Sequence, residues 1–215
     1  RMTTMQPRFL KGGFVVLNTD TGAVQSTLPL TVNPDRLSRS FEIQSVGEDA
    51  GRAAPLRLTG PAAETITVEV KLDAGDGLAR ADALAVREGV RPQIALLQTL
   101  ISPTAQSIEA NDALQKTGVL EILPMIQPLL LFVWGADQIA PVRIQSMTVN
   151  ETLHNSRLYP LQATVSLSLR VLTVDDLGVS SRGGALFLTY LRAVEASAGR
   201  VPGGSAAEMG IEGAL

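Results

Sequence analysis

The feature that most constrains the fold is a long alternation of apolar and polar residues over positions 161–171. The apolar set is Leu161, Ala163, Val165, Leu167, Leu169 and Val171, and the polar set is Gln162, Thr164, Ser166, Ser168 and Arg170. A period of two is that of a β-strand with one packed and one wet face. At a rise of about 3.3 Å per residue this strand would be about 36 Å long. Its wet face is polar and nearly uncharged.

The preceding segment, residues 141–152, predicts a second strand. Val142 and Ile144 share one phase, whereas Met147 and Val149 have the opposite phase. One extra residue would bring both pairs onto the same face, so we expect a β-bulge near Gln145. The connection over 154–160 is short enough for a hairpin between the two strands.

The rest of the chain indicates a mainly β protein with a few helices. Residues 128–134 (PLLLFVW) form a continuous apolar run, which predicts a strand buried on both faces. Further strands are predicted at 13–17, 27–32, 38–46 and 64–72, and helices at 91–101 and 185–198. Pro29 favours an edge position for the second strand. We expect an N-terminal arm and first strand (1–26), a β domain (27–173), and a C-terminal helix with a flexible tail (174–215).

Composition excludes several classes of protein. The chain has no cysteine, which excludes disulfides, zinc fingers and Cys nucleophiles. Its net charge of −3 provides no basic excess for nucleic acid. The most apolar stretch, residues 120–134, contains Glu121 and two prolines and is shorter than the roughly 20 residues of a membrane span. We therefore expect neither nucleic-acid binding nor membrane insertion.

Residues with catalytic or ligand chemistry are few and isolated. His154 is the single histidine, and it lies in the predicted hairpin loop. Glu69, Asp73 and Asp76 lack the spacing of a calcium loop, so a strand-ending turn is the better interpretation. The Gly-Gly pairs match no phosphate-binding motif, and Ser180 lies in no nucleophile elbow. The sequence predicts no catalytic residue, cofactor or metal site, and hence no enzyme.

Three blocks of sequence, read in order, indicate a family. They are 128–135 (PLLLFVWG), 142–148 (VRIQSMT) and 157–172 (RLYPLQATVSLSLRVL), preceded by 30–34 (LTVNP) and by the strand that ends at Asp73. Together they resemble the tube-like family of contractile injection systems over residues 27–173. The core of the motif is Phe132, Val133, Trp134 and Gly135.

The resemblance implies a baseplate-proximal inner-tube initiator or adaptor of a phage-tail-like particle. The implied fold is two antiparallel sheets in a barrel-like sandwich, with a flanking helix and a C-terminal helix. The implied assembly is a hexameric ring whose long hairpins pair edge to edge. Partners would be the inner-tube protein, the spike or hub and other baseplate proteins, with assembly in the bacterial cytoplasm. Family members often carry a peptidoglycan-binding LysM module, and residues 174–215 show no such pattern.

The resemblance also implies a role for the polar residues of the long strand. Gln162, Thr164, Ser166, Ser168 and Arg170 would face the lumen or a subunit interface. An alternative of another class is a monomeric β-sandwich module that binds a ligand or protein through loops at 102–127. A hydrolase on a barrel scaffold is disfavoured by the residues present.

Overall fold

The computed structural model describes residues 10–45, 57–116 and 127–203. The described residues form a seven-stranded antiparallel sheet in the order β2-β1-β5-β6-β7-β4-β3, with six helices. The strands are β1 (Gly13–Leu17), β2 (Val24–Pro29), β3 (Leu37–Glu42), β4 (Ala63–Asp73), β5 (Leu129–Val133), β6 (Ile139–His154) and β7 (Pro160–Val171). The helices are α1 (Gly75–Ala79), α2 (Ala83–Glu88), α3 (Arg91–Thr99), α4 (Ala105–Lys116), α5 (Val174–Leu177) and α6 (Arg182–Ala198).

The mainly β character is confirmed, but the described residues form one sheet where two were expected. The sheet is continuous because β5 pairs with β1 on one side and with β6 on the other. The chain just after β2 returns to the other half of the sheet through an isolated antiparallel bridge between Val32 and Lys71. A single bridge is not a ladder, so these residues do not make a closed barrel.

The sheet is nevertheless curled. Arg39 on β3 donates a 3.1 Å hydrogen bond to Gln138 in the β5–β6 turn, although β4 and β7 lie between these elements in the strand order. Flat strands about 4.8 Å apart would hold the two backbones too far apart for this contact. The curl therefore brings the β3 side of the sheet towards the β5–β6 turn.

The long hairpin is formed by β6 and β7, and its bulge is confirmed. The β6–β7 register shifts between Ile144 and Ser146. As a result, Ile144 pairs with Leu169, and Met147 then pairs with Leu167 on the same apolar face. The extra residue is Gln145, so the phase slip in the sequence corresponds to a real irregularity of the strand.

The main core lies on the apolar face of the sheet. Side chains of β4, β6 and β7 pack there with Ile94 and Leu97 of α3 and with Phe187 and Tyr190 of α6. A smaller cluster lies on the other face of β5, where Leu129 and Leu131 contact α5 and α6 residues. The expected burial of β5 on both faces is therefore confirmed.

The tip of the hairpin is fixed to the turn between α2 and α3. The backbone N–H of Val90 donates to the carbonyl oxygen of Pro160 at 2.9 Å, and Nδ2 of Asn155 donates to the carbonyl oxygen of Arg87 at 3.3 Å. Gly89 has a φ of +58°, and a methyl group there would overlap the Pro160 carbonyl oxygen. Only glycine combines this conformation with so close an approach.

Some sequence predictions fall beyond the described residues. These are the N-terminal arm up to residue 9 and the tail from residue 204, together with 117–126 of the loops in the alternative binding module. The remainder of that segment contains the helix α4 (Ala105–Lys116), where the alternative binding module was expected to have loops.

Candidate functional site

The polar face of the sheet is the surface that the sequence singles out. We use this name for the side chains of β4, β7 and β6 that point away from the main core. Cross-strand pairing arranges them in rows, each with one residue from β4, β7 and β6: Thr65–Arg170–Arg143, Thr67–Ser168–Ser146, Glu69–Ser166–Thr148, Lys71–Thr164–Asn150 and Asp73–Gln162–Thr152. Such rows form because side chains two residues apart share one side of a strand.

The five polar residues predicted on the long strand occupy the middle of this face. Gln162, Thr164, Ser166, Ser168 and Arg170 are each half-buried, since β4 and β6 flank them on both sides. The structure therefore brings them together on one surface. Their orientation towards a lumen or an interface stays a prediction.

The polar face carries charge at its two ends and on β4, where Glu69 and Lys71 are exposed in the middle rows. Arg170 donates to Asp176 of α5 at 3.1 Å, and Asp73 accepts a 2.8 Å hydrogen bond from Gln162. The middle rows of β7 and β6 consist of serine, threonine and asparagine. These short hydroxyl and amide groups hydrogen-bond to water and carry no charge. The β7 and β6 part of the face is therefore hydrated and uncharged, whereas β4 adds the opposite charges of Glu69 and Lys71.

The hairpin also has a free backbone edge. Strand β5 pairs with β6 only as far as Val142, and beyond it the described residues give β6 no partner except β7. In the described part of the chain, residues 143–154 therefore leave their other edge open over about 40 Å. On the far side of the polar face, β3 pairs with β4 alone within the described ranges. Unpaired edges of this kind are templates for pairing with another strand.

The four strands β6, β7, β4 and β3 therefore form a unit with an open edge on each side. Each strand is antiparallel to its neighbour, so the two outer strands, β6 and β3, run in opposite directions. We call this set the four-stranded unit.

The family motif lies in the core and not on the polar face. Phe132 is buried, with its ring centroid 5.4 Å from that of Phe14 and 6.0 Å from that of Trp134. A methyl group on Gly12 would lie 2.5 Å from the indole, so Trp134 packs directly on the backbone there.

The rest of the motif forms the end of β5 and the turn that follows it. Val133 is half-buried, and alternation along the strand directs it away from Phe132. The backbone of Trp134 donates to the Gln138 carbonyl oxygen at 2.8 Å, and Gly135 has a φ of +98°, which a turn residue without a side chain adopts freely. The motif thus acts through packing and chain reversal.

A buried polar network was not predicted from the sequence. Glu64 on β4 is 5% exposed, and it accepts a 2.7 Å hydrogen bond from the hydroxyl of Tyr190 on α6. The guanidinium of Arg39 lies 3.4 Å from the other carboxylate oxygen. Burial, together with this hydrogen bond to the carboxylate, raises the pKa of Tyr190 well above its usual range. The signal was present, because Glu64 is an acidic residue in phase with the apolar row that begins at Ile66.

The isolated residues considered for chemistry remain apart. His154 lies at the end of β6, where its ring nitrogen is 3.7 Å from an exposed Glu151 carboxylate. Asp73 accepts a hydrogen bond from the backbone of Gly75, as expected of a strand-ending turn. In the portion of the chain that is described, no cluster of three or more acidic or histidine side chains could hold a metal ion. No described helix has the length and apolar character needed to cross a membrane.

No known family model matches the chain, and no curated protein matches it. The features of the molecule that bear on its function are therefore the polar face, the open strand edges and the motif residues.

Proposed function

We propose that this protein is a structural, non-enzymatic component of a phage-tail-like contractile injection particle. It would act as a baseplate-proximal adaptor that assembles into a hexameric ring, with the inner tube bound on one side and the spike or hub on the other. The observation that carries the proposal is the four-stranded unit, which combines a mostly uncharged polar face with two open edges of opposite direction.

The open edges favour self-assembly. Identical copies placed side by side in the same orientation bring β3 of one copy next to β6 of the next. Because these strands run in opposite directions within a copy, they meet antiparallel between copies, and the alternation of the sheet continues. Closure of such a ring pairs the exposed edge of β3 with part of the free edge of β6, which is how barrels limit uncontrolled strand pairing.

The polar face favours a wet lumen. A hexamer of four-stranded units would exceed the roughly 16 strands at which barrels enclose an aqueous channel. Its inner wall would be the rows of Ser, Thr and Asn side chains on β7 and β6 together with Glu69 and Lys71 of β4, and its outer wall would be covered by the apolar core and the helices. A wall on which the few charges are of both signs lets cargo of either charge pass without strong binding. The curled sheet and the bridge from Val32 to Lys71 fit a tube-protein-like, barrel-like domain.

The test combines direct imaging of the assembled protein with a measurement of its mass. The purified chain is concentrated alone, and in parallel mixed with the inner-tube protein of the same particle, because adaptors of this kind can need a template. Native mass spectrometry should then give a hexamer, and negative-stain images should show rings with an open centre. A chain that stays monomeric in both samples would reject the ring and favour the monomeric binding module.

A further inference from the structure

Two exposed side chains of opposite charge lie on the two open edges of the four-stranded unit. Arg143 lies on β6 and Glu42 is the last residue of β3. Neither forms an ion pair with any residue in the described ranges. Arg143 stands directly across from Arg170, whose charge is already matched by Asp176. Like charges in that position repel. Asp176 lines the same cavity as Arg143 but is paired with Arg170, so Arg143 has no ion pair of its own among the described residues.

Both charges lie at the same end of the unit and on the same side of it. Arg143 pairs with Arg170, Arg170 with Thr65, and Thr65 with Ser40, so a single row crosses all four strands. Glu42 is two residues beyond Ser40, which places its side chain on the polar-face side. Three strand spacings separate β3 from β6, about 14 Å along the sheet. The two side chains therefore belong to different edges of one copy.

The position of β5 decides where a strand can be added to β6. Because β5 occupies β6 as far as Val142, the free edge begins at Arg143. A β3 strand that approaches antiparallel must end there, and its final residue is Glu42. The end of β3 thus fits the start of the free edge of β6, and the same register places the two opposite charges side by side.

We infer that the seam between neighbouring copies joins the free edge of β6 in one copy to β3 of a second copy of this chain, with Glu42 beside Arg143. This inference rests on the proposed ring, and it identifies the contact surface within it. Ser40 of the second copy then lies near Ser146, one step further along the polar face.

Cysteine cross-linking tests the seam, and the absence of native cysteine makes the background clean. Ser40→Cys and Ser146→Cys are made in separate full-length chains, mixed, concentrated and oxidised. A disulfide needs the two Cβ atoms about 4 Å apart, so a cross-linked dimer of the two variants is expected only if the strands adjoin. The matched control replaces Ser146→Cys by Thr152→Cys, which lies about 20 Å along the same strand and should not cross-link to Ser40→Cys.

Charge reversal tests the pairing itself. Arg143→Glu and Glu42→Arg should each raise the concentration needed for ring formation by about fivefold per seam, the upper range for an exposed ion pair. The double variant should recover most of the loss, because the pair is restored with reversed signs. Arg157→Glu, an exposed change at the hairpin tip, serves as the control and should leave assembly unchanged.

The outcomes separate this inference from the proposed function. If rings form but the charge reversals have no effect, the proposed charge pairing is wrong. If the control cysteines cross-link in place of the test pair, the proposed register is wrong. In both cases the proposed ring is retained. If the wild-type chain forms no ring, alone or with the inner-tube protein, the seam and the proposed function fall together. Cross-linking of the test pair with recovery in the double variant supports both.

Discussion

The hydroxyl of Tyr190 donates a 2.7 Å hydrogen bond to a carboxylate oxygen of Glu64, a residue 126 positions earlier in the chain. The bond joins α6 to the start of β4 inside the main core. Glu64 in turn lies beside Arg39 of β3, so one buried carboxylate connects the C-terminal helix to an outer strand of the sheet. Stability of that outer strand and docking of the helix are therefore coupled.

Removal of the hydroxyl tests this coupling. Tyr190→Phe keeps the ring in the core but leaves Glu64 with one fewer donor, and a buried acceptor without its donor costs about 1–3 kcal/mol. We expect the free energy of unfolding in urea to fall by that amount. Tyr159→Phe, which alters the half-buried tyrosine at the hairpin tip, is the control and should change it by less than about 0.5 kcal/mol. Equal effects of the two variants would show that the Glu64 contact contributes nothing specific.

The same contact predicts a dependence on alkaline pH. The pKa of Tyr190 is raised in the folded state, whereas in the unfolded chain tyrosine titrates near its ordinary value of about 10. Above that pH the unfolded state has released the proton and the folded state still holds it, so the unfolded state binds fewer protons and stability falls as pH rises. Below about pH 10 the contribution of this group is complete.

The comparison of wild type with Tyr190→Phe isolates this effect, since all other titrating groups are shared. The stability difference between them should be constant from pH 7 to 9 and should shrink by up to about 1.4 kcal/mol per pH unit above 10. Urea unfolding at a series of pH values measures it. A difference that stays constant to pH 11 would contradict the raised pKa.

Gly89 is predicted to be the least replaceable residue beside the hairpin tip. Gly89→Ala adds the strain of a positive φ to a clash with the Pro160 carbonyl oxygen, and we expect a loss of about 3 kcal/mol or more. Gly135→Ala is the matched control, because φ is also positive there but the site is open. It should cost about 1–2 kcal/mol from strain alone. Thermal or urea unfolding measures both, and equal losses would exclude the clash.

The orientation of the polar face can be measured by the size of the reagent that reaches it. Ser166→Cys should react with both a small maleimide and a large polyethylene glycol maleimide when the chain is monomeric. In the ring, the small reagent should still react, whereas reaction with the large one should be mostly lost, because a lumen excludes it. Glu195→Cys on the exposed side of α6 should react with both reagents in both states. Reaction of Ser166→Cys with the large reagent in intact rings would place this face outside the channel.

Individual strands and the bulge were predicted well, because each leaves a pattern of apolar and polar residues within its own segment. The alternation at 161–171 corresponds to β7 at Pro160–Val171, and the slip after Ile144 corresponds to the bulge. The second strand was predicted at 27–32 and lies at Val24–Pro29, since Pro29 ends the strand and Val32 instead bridges to Lys71. Its edge position was predicted correctly.

Long-range pairing could not be predicted in the same way. Whether β1 pairs with β5 depends on residues 100 or more positions apart, and no local pattern records that choice. The expectation of two sheets came from a resemblance, and the described residues join β1 to the rest through β5. The position of Glu64 was readable from its phase, but its partners on α6 and β3 were not.

The strand order also determines when the sheet can form as the chain is made. The hairpin of β1 and β2 needs only its own residues, but the inner partner of β1 is β5, and the partner of β4 is β7. Most of the sheet must therefore wait until the last strand has left the ribosome, and contacts this distant in sequence make folding slow. Until then β4 keeps one edge unpaired, so the nascent chain needs protection from strand pairing with its neighbours.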